Sequence, residues 1–123
     1  MKIELSNGEL LDRLTILEIK LDKIQDAAKL VNIREELSQL KPLVENMILS
    51  VSGQYKRLTD INRQLWEIED IIRELENKKQ FDDVFIQTAR QVYLMNDERA
   101  AVKKEINLLT NSGLIEEKSY AGY

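Results

Sequence analysis

Arg99 is the residue whose type and position most directly imply chemistry. It interrupts a helical seam in which Phe81, Phe85, Thr88, Val92, Met95, Arg99, Val102, Ile106 and Leu109 recur at alternating steps of three and four. A guanidinium keeps its charge wherever it is placed, so at a seam position it needs a paired carboxylate or an anionic ligand. Glu69 and Asp70 on the preceding helix, or Glu18 and Asp22 on the first, are the expected partners. Asn96 and Lys103 lie one turn to either side, and the three together would suit an anionic metabolite held between helices. The competing reading is an ion pair that fixes helix register, or an arginine whose stem is buried while its head reaches water.

A second constellation precedes it. Tyr55, Asn62, Trp66, Glu69 and Arg73 form a stripe beside the apolar seam Leu58, Ile61, Leu65, Ile68, Ile72 and Leu75. Trp66 lies about one residue off that seam, so it should flank the core, where tryptophan, tyrosine and arginine serve as interface anchors. Glu69 and Arg73, four apart, are spaced to pair along their own helix. The face Ala89, Tyr93, Asn96, Ala100, Lys103 and Asn107 mixes small and polar residues. Opposite the Trp66 stripe, it would make a polar seam with an aromatic wall.

Composition removes most catalytic options. Cysteine and histidine are both absent, which excludes thiolate chemistry, disulfides, and the commonest general base and zinc ligand. Glu9-x-x-Asp12 and Glu67-x-x-Asp70 place carboxylates one turn apart, as magnesium-dependent helical hydrolases do. In a chain with 22 acidic residues that spacing is weak, and Asp12 should point away from the Leu10/Leu14/Leu17 seam into solvent. A chorismate mutase type of site needs several buried cations, and only Arg99 is placed in a seam. We therefore expect no catalytic residue, metal or cofactor. The net charge is −4 and the basic residues are interleaved with acids, unlike the concentrated basic field of a nucleic-acid groove. No apolar run approaches the roughly 20 residues that span a bilayer, and the first residues lack a signal-peptide core. The expected location is the cytoplasm.

These groups must be positioned by helices, because the chain has one proline and four glycines and is 43% apolar. Ser6 and Glu9 form a capping box for a first helix over about 7–26, with Leu10, Leu14, Leu17, Leu21 and Ile24 as its seam and a broad flank of Leu11, Ile16 and Ile19. A phase break near Asp26 to Lys29 separates a second helix, about 30–49, for which Asn32 and Glu35 offer another box; no glycine or proline marks the turn, so one long bent helix is the alternative. Pro42 should kink or shorten it. Ser50 to Gly53 reads as a loop, with Ser52 capping a third helix over about 54–78. Asp82 or Asp83 caps a fourth, about 83–110, stopped by Asn111 to Gly113, and a tail occupies 111–123.

Four segments, GELLDRLTILEIKLDKI at Gly8 to Ile24, LWEIEDIIREL at Leu65 to Leu75, FIQTARQVYLMNDERAAVKKEIN at Phe85 to Asn107 and EEKSY at Glu116 to Tyr120, resemble a family of small all-helical bacterial proteins classed as a domain of unknown function. Its members are similar to proteins found beside or fused to sugar-transfer and surface-polysaccharide components. The resemblance implies a setting but no activity. It also marks Glu116, Glu117, Lys118 and Tyr120, in the tail, as residues that dock.

The expectation is a single all-α domain, an antiparallel four-helix bundle running up-down-up-down. The broad first helix and off-core Trp66 point to a homodimer or a protein partner. Function divides between a non-catalytic interaction or scaffold module linked to carbohydrate assembly, with the Tyr55/Trp66/Arg73 face as its contact, and a small helical enzyme or binding protein for an anionic metabolite at Arg99.

Overall fold

The computed structural model describes residues 1–114, so the tail residues Glu116, Glu117, Lys118 and Tyr120 lie outside the described residues. Four helices follow one another: α1 (Asn7–Lys23), α2 (Ala27–Ser50), α3 (Ser52–Asn77) and α4 (Asp83–Leu109). They form an antiparallel up-down-up-down bundle. The first six residues carry neither helix nor strand.

Ser6 caps α1 by accepting from the Glu9 N–H at 3.2 Å. The Glu9 carboxylate takes Arg13 and Lys103 as its partners. Asp26 starts α2 by accepting from the Lys29 N–H at 3.0 Å. The expected Asn32 cap is therefore inside the helix, because the earlier aspartate has the same reach and comes first.

Pro42 does not shorten α2, which continues to Ser50. The proline is exposed, so water can solvate the carbonyl its ring leaves unbonded. On the opposite side Val44 is fully buried and holds the helix in place. The expected loop at Ser50 to Gly53 is reduced to Val51, which is 1% exposed. Burial of that valine in the core outweighs the turn signal of Ser52 and Gly53, and α3 begins without a side-chain cap. Asp82 caps α4 through the Phe85 N–H.

Both long helices end on a left-handed residue that is not glycine. Lys79 (φ 53°) and Asn111 (φ 52°) take that conformation, and the following residues bond back, Gln80 N–H to the Leu75 carbonyl at 2.9 Å and Ser112 N–H to the Asn107 carbonyl at 2.8 Å. Asn111 thus does the work expected of Gly113.

The core joins Leu11 and Leu14 of α1, Val44 of α2, the linking Val51, Leu58, Ile61 and Leu65 of α3, and Val102 and Ile106 of α4. Helix α1 packs against all three others. Its broad apolar face is used within one chain, so it carries no argument for a second copy.

Candidate functional site

Helix α1 runs antiparallel to α4, and their shared seam is polar for three turns. At its closed end the Gly8 N–H donates to Asn107 Oδ1 at 2.6 Å, and Asn7 Nδ2 donates to Thr110 Oγ1 at 2.9 Å. One turn on, Lys103 Nζ donates to Glu9 Oε2 at 2.6 Å. A further turn on, Arg99 meets Asp12. Its Nε donates to Oδ1 at 2.8 Å, and Nη2 donates to Oδ2 in the paired, fork-like geometry that makes such bonds strong. The Asp12 side chain is 1% exposed and that of Arg99 28%. A third donor, Asn62 Nδ2 from α3, reaches Asp12 Oδ1 at 2.8 Å.

Arg99 is therefore paired with Asp12, not with Glu69, Asp70, Glu18 or Asp22. Asp12 is not solvated, as its displacement from the Leu10/Leu14/Leu17 seam suggested. Helix α1 buries a second stripe, Gly8, Asp12, Thr15 and Ile19, at steps of four, three and four. This stripe faces α3 and α4. Two of its four members are polar and one is glycine, so hydrophobic periodicity gives it no weight. The step pattern alone would have found it.

Beyond the Asp12–Arg99 pair the seam opens into a cleft of about 350 Å³ between α1, α3 and α4. Trp66 walls it, with Ile16, Ile19 and Leu65 as its apolar lining. Asn62, Asn96 and Arg99 supply polar atoms, and Glu69, Asp70 and Arg73 line it further out along α3. The aromatic stripe of α3 and the polar face of α4 thus do meet. Trp66 is half-buried, flanking the core as expected. Glu69 and Arg73 approach along their helix at 3.7 Å.

Two expected members are elsewhere. Lys103 is held by Glu9 and does not line the cleft. Tyr55 packs against the core, its hydroxyl donating to Glu18 Oε1 at 2.8 Å, so it does not share a surface with Trp66. Burial, the bond to Glu18 and that carboxylate's charge together push the Tyr55 phenol well above its ordinary value. The neutral phenol is then favoured by folding, so its contribution is complete below the unfolded value of about 10 and is lost as pH rises beyond it. Urea titrations from pH 9 to 11.5 should show stability falling more steeply in the parent than in Tyr55→Phe. Equal slopes would contradict this account.

Among the described residues, no group of three or more carboxylates is placed to hold a metal ion, and no helix is long and apolar enough to cross a membrane. Residues 1–123 match a family of unknown function, DUF6165, along the entire chain. The chain belongs to that family. No curated protein matches it, and no solved structure does. Membership of DUF6165 brings no activity, substrate or partner with it, so function has to be argued from the seam and the cleft.

Proposed function

We propose that this DUF6165 protein is a non-catalytic interaction module that receives a partner polypeptide in the cleft walled by Trp66. One observation carries the reading. The cation at the centre of the polar seam is neutralised by a carboxylate that accepts three hydrogen bonds, two from Arg99 and one from Asn62. A catalytic carboxylate has to face its substrate, and an anion-binding arginine has to offer its charge. Asp12 and Arg99 are committed to each other. The side chains that face an incoming group are Trp66, Asn62, Asn96, Glu69, Asp70 and Arg73, which make a contact surface. The resemblance to proteins beside sugar-transfer components makes surface-polysaccharide assembly the setting in which to seek the partner.

A photoreactive phenylalanine analogue introduced at Arg73, at the lip of the cleft, tests this in cells. The same analogue at Glu36, exposed on α2, is the control. A discrete adduct from position 73, at least about tenfold stronger than from position 36, is expected for an affinity that survives in the cell. An adduct of twice the chain's mass would identify a second copy as the partner. Equal labelling from both positions, or none, would overturn the proposal.

A further inference from the structure

The hydrogen bonds around Asp12 determine which way Asn62 faces. A carboxylate only accepts, so the Asn62 atom 2.8 Å from Asp12 Oδ1 is its amide nitrogen. The second amide N–H goes to Thr15 Oγ1 at 2.7 Å. That hydroxyl gives its own proton to the Asp12 main-chain carbonyl. Both amide hydrogens are used, and Oδ1 points away from the cluster. Asn62 is 5% exposed and lines the cleft. Among the described residues no buried side-chain oxygen lacks a partner, so this oxygen opens into the cleft as a free acceptor.

The lip continues the same chemistry. Asp70 is exposed and, among the described residues, takes part in no ion pair. The Glu69–Arg73 contact is long, 3.7 Å, and Arg73 is 78% exposed, a geometry that contributes little. Beyond it, α3 carries Glu67 and Glu76, while Glu74 is held by Lys78 at 2.9 Å. Arg99 also lines the cleft, and Asp12 behind it offsets that charge. An incoming group therefore meets the Asn62 carbonyl, the Glu69 and Asp70 carboxylates and the indole of Trp66, with Arg73 at the rim and the Asp12-paired Arg99 in the wall. An anion would meet Glu69 and Asp70 as like charges. An ammonium or guanidinium group would find acceptors for its N–H groups and an aromatic wall that attracts cations.

From this complementarity, and resting on the interaction-module reading, we infer that the cleft takes a lysine or arginine side chain from a basic segment of the partner polypeptide. A segment is favoured over a free amine because α3 carries two further carboxylates outside the cleft, Glu67 and Glu76, so neighbouring basic residues would gain contacts that a small amine cannot.

Trp66 is the only tryptophan, so its emission reports directly. Acetylated tetralysine amide titrated into the purified protein at low ionic strength should shift that emission saturably. The effect should weaken with salt, as Debye screening requires. Replacing the rim charges together, Glu69→Gln with Asp70→Asn, should weaken binding at least about tenfold. Glu35→Gln with Glu36→Gln, which removes the same charge from α2, should leave it unchanged. Spermidine should bind at least about tenfold more weakly than the peptide. Silence of Trp66 up to millimolar peptide, equal loss from both double variants, or equal binding of spermidine would each overturn the inference. An adduct from position 73 combined with a peptide-blind Trp66 would reject this inference and leave the interaction module standing.

Discussion

Arg99→Met is expected to cost about 3–5 kcal/mol, the usual loss when one partner of a buried ion pair is removed. The Asp12 carboxylate, 1% exposed, would keep only the Asn62 amide as donor and could not reach water. For a domain whose total stability is on the order of 5–15 kcal/mol, that is a large fraction. It corresponds to a melting temperature lower by about 10–20 °C. The converse change should be milder. Asp12→Asn leaves a guanidinium that is 28% exposed and can turn its head towards solvent, so a loss of about 2 kcal/mol is expected, near that of an unmade charged hydrogen bond. This asymmetry follows from the unequal burial of the two partners and is measurable by urea denaturation at pH 7. An Arg99→Met variant that melts within a few degrees of the parent would contradict a structural role for the pair.

Gly8→Ala should reverse the normal sign of a helix substitution. Alanine in place of glycine inside a helix ordinarily gains about 1 kcal/mol. A methyl group on Gly8 would overlap the main-chain carbonyl oxygen of Lys103, and would lie 2.9 Å from its carbon and 3.0 Å from Asn107 Oδ1. Backbone cannot swing aside, so α1 would have to retreat from α4. The 2.6 Å bond from the Gly8 N–H to Asn107 would stretch with it, and the Glu9–Lys103 pair one turn on would loosen. A net loss of about 3 kcal/mol or more is expected, at the upper end for overpacking. Gly53→Ala is the matched control, because nothing lies within 4 Å of a methyl there; it should be neutral or stabilise by up to about 1 kcal/mol. Thermal melts of both variants would check the contrast. A stabilised Gly8→Ala protein would mean that the two helices are not held so close.

Much of this architecture was legible in the sequence. Four apolar rhythms, the Ser6 and Asp82 caps and a break near Asp26 are local signals, and local signals survive folding. Arg99 also stood out, because a charge in an apolar rhythm is visible against its neighbours. Its partner did not, for the opposite reason: Asp12 belongs to a stripe whose other members are glycine, threonine and isoleucine, and such a stripe looks like a solvated flank. Only the packing of α1 against three helices turns it inward. Tyr55 and Trp66 share a stripe on paper but separate in the structure, since a long helix crosses different neighbours along its length. The short link at Val51 was hidden because a serine and a glycine announce a loop more loudly than one buried valine announces core. Trp66, by contrast, was correctly placed off the core, and its cleft lies where the two polar stripes were expected to meet.

Asp12 and Arg99 are committed to each other in a fork-like pair. A double-mutant cycle with Asp12→Ala, Arg99→Ala and the pair, followed by urea denaturation at pH 7, measures that commitment directly. The double variant should be far less destabilised than the sum of the single ones, with a coupling energy of about 2 kcal/mol or more. Additivity within about 0.5 kcal/mol would contradict it and return Arg99 to the role of a cation available to a ligand.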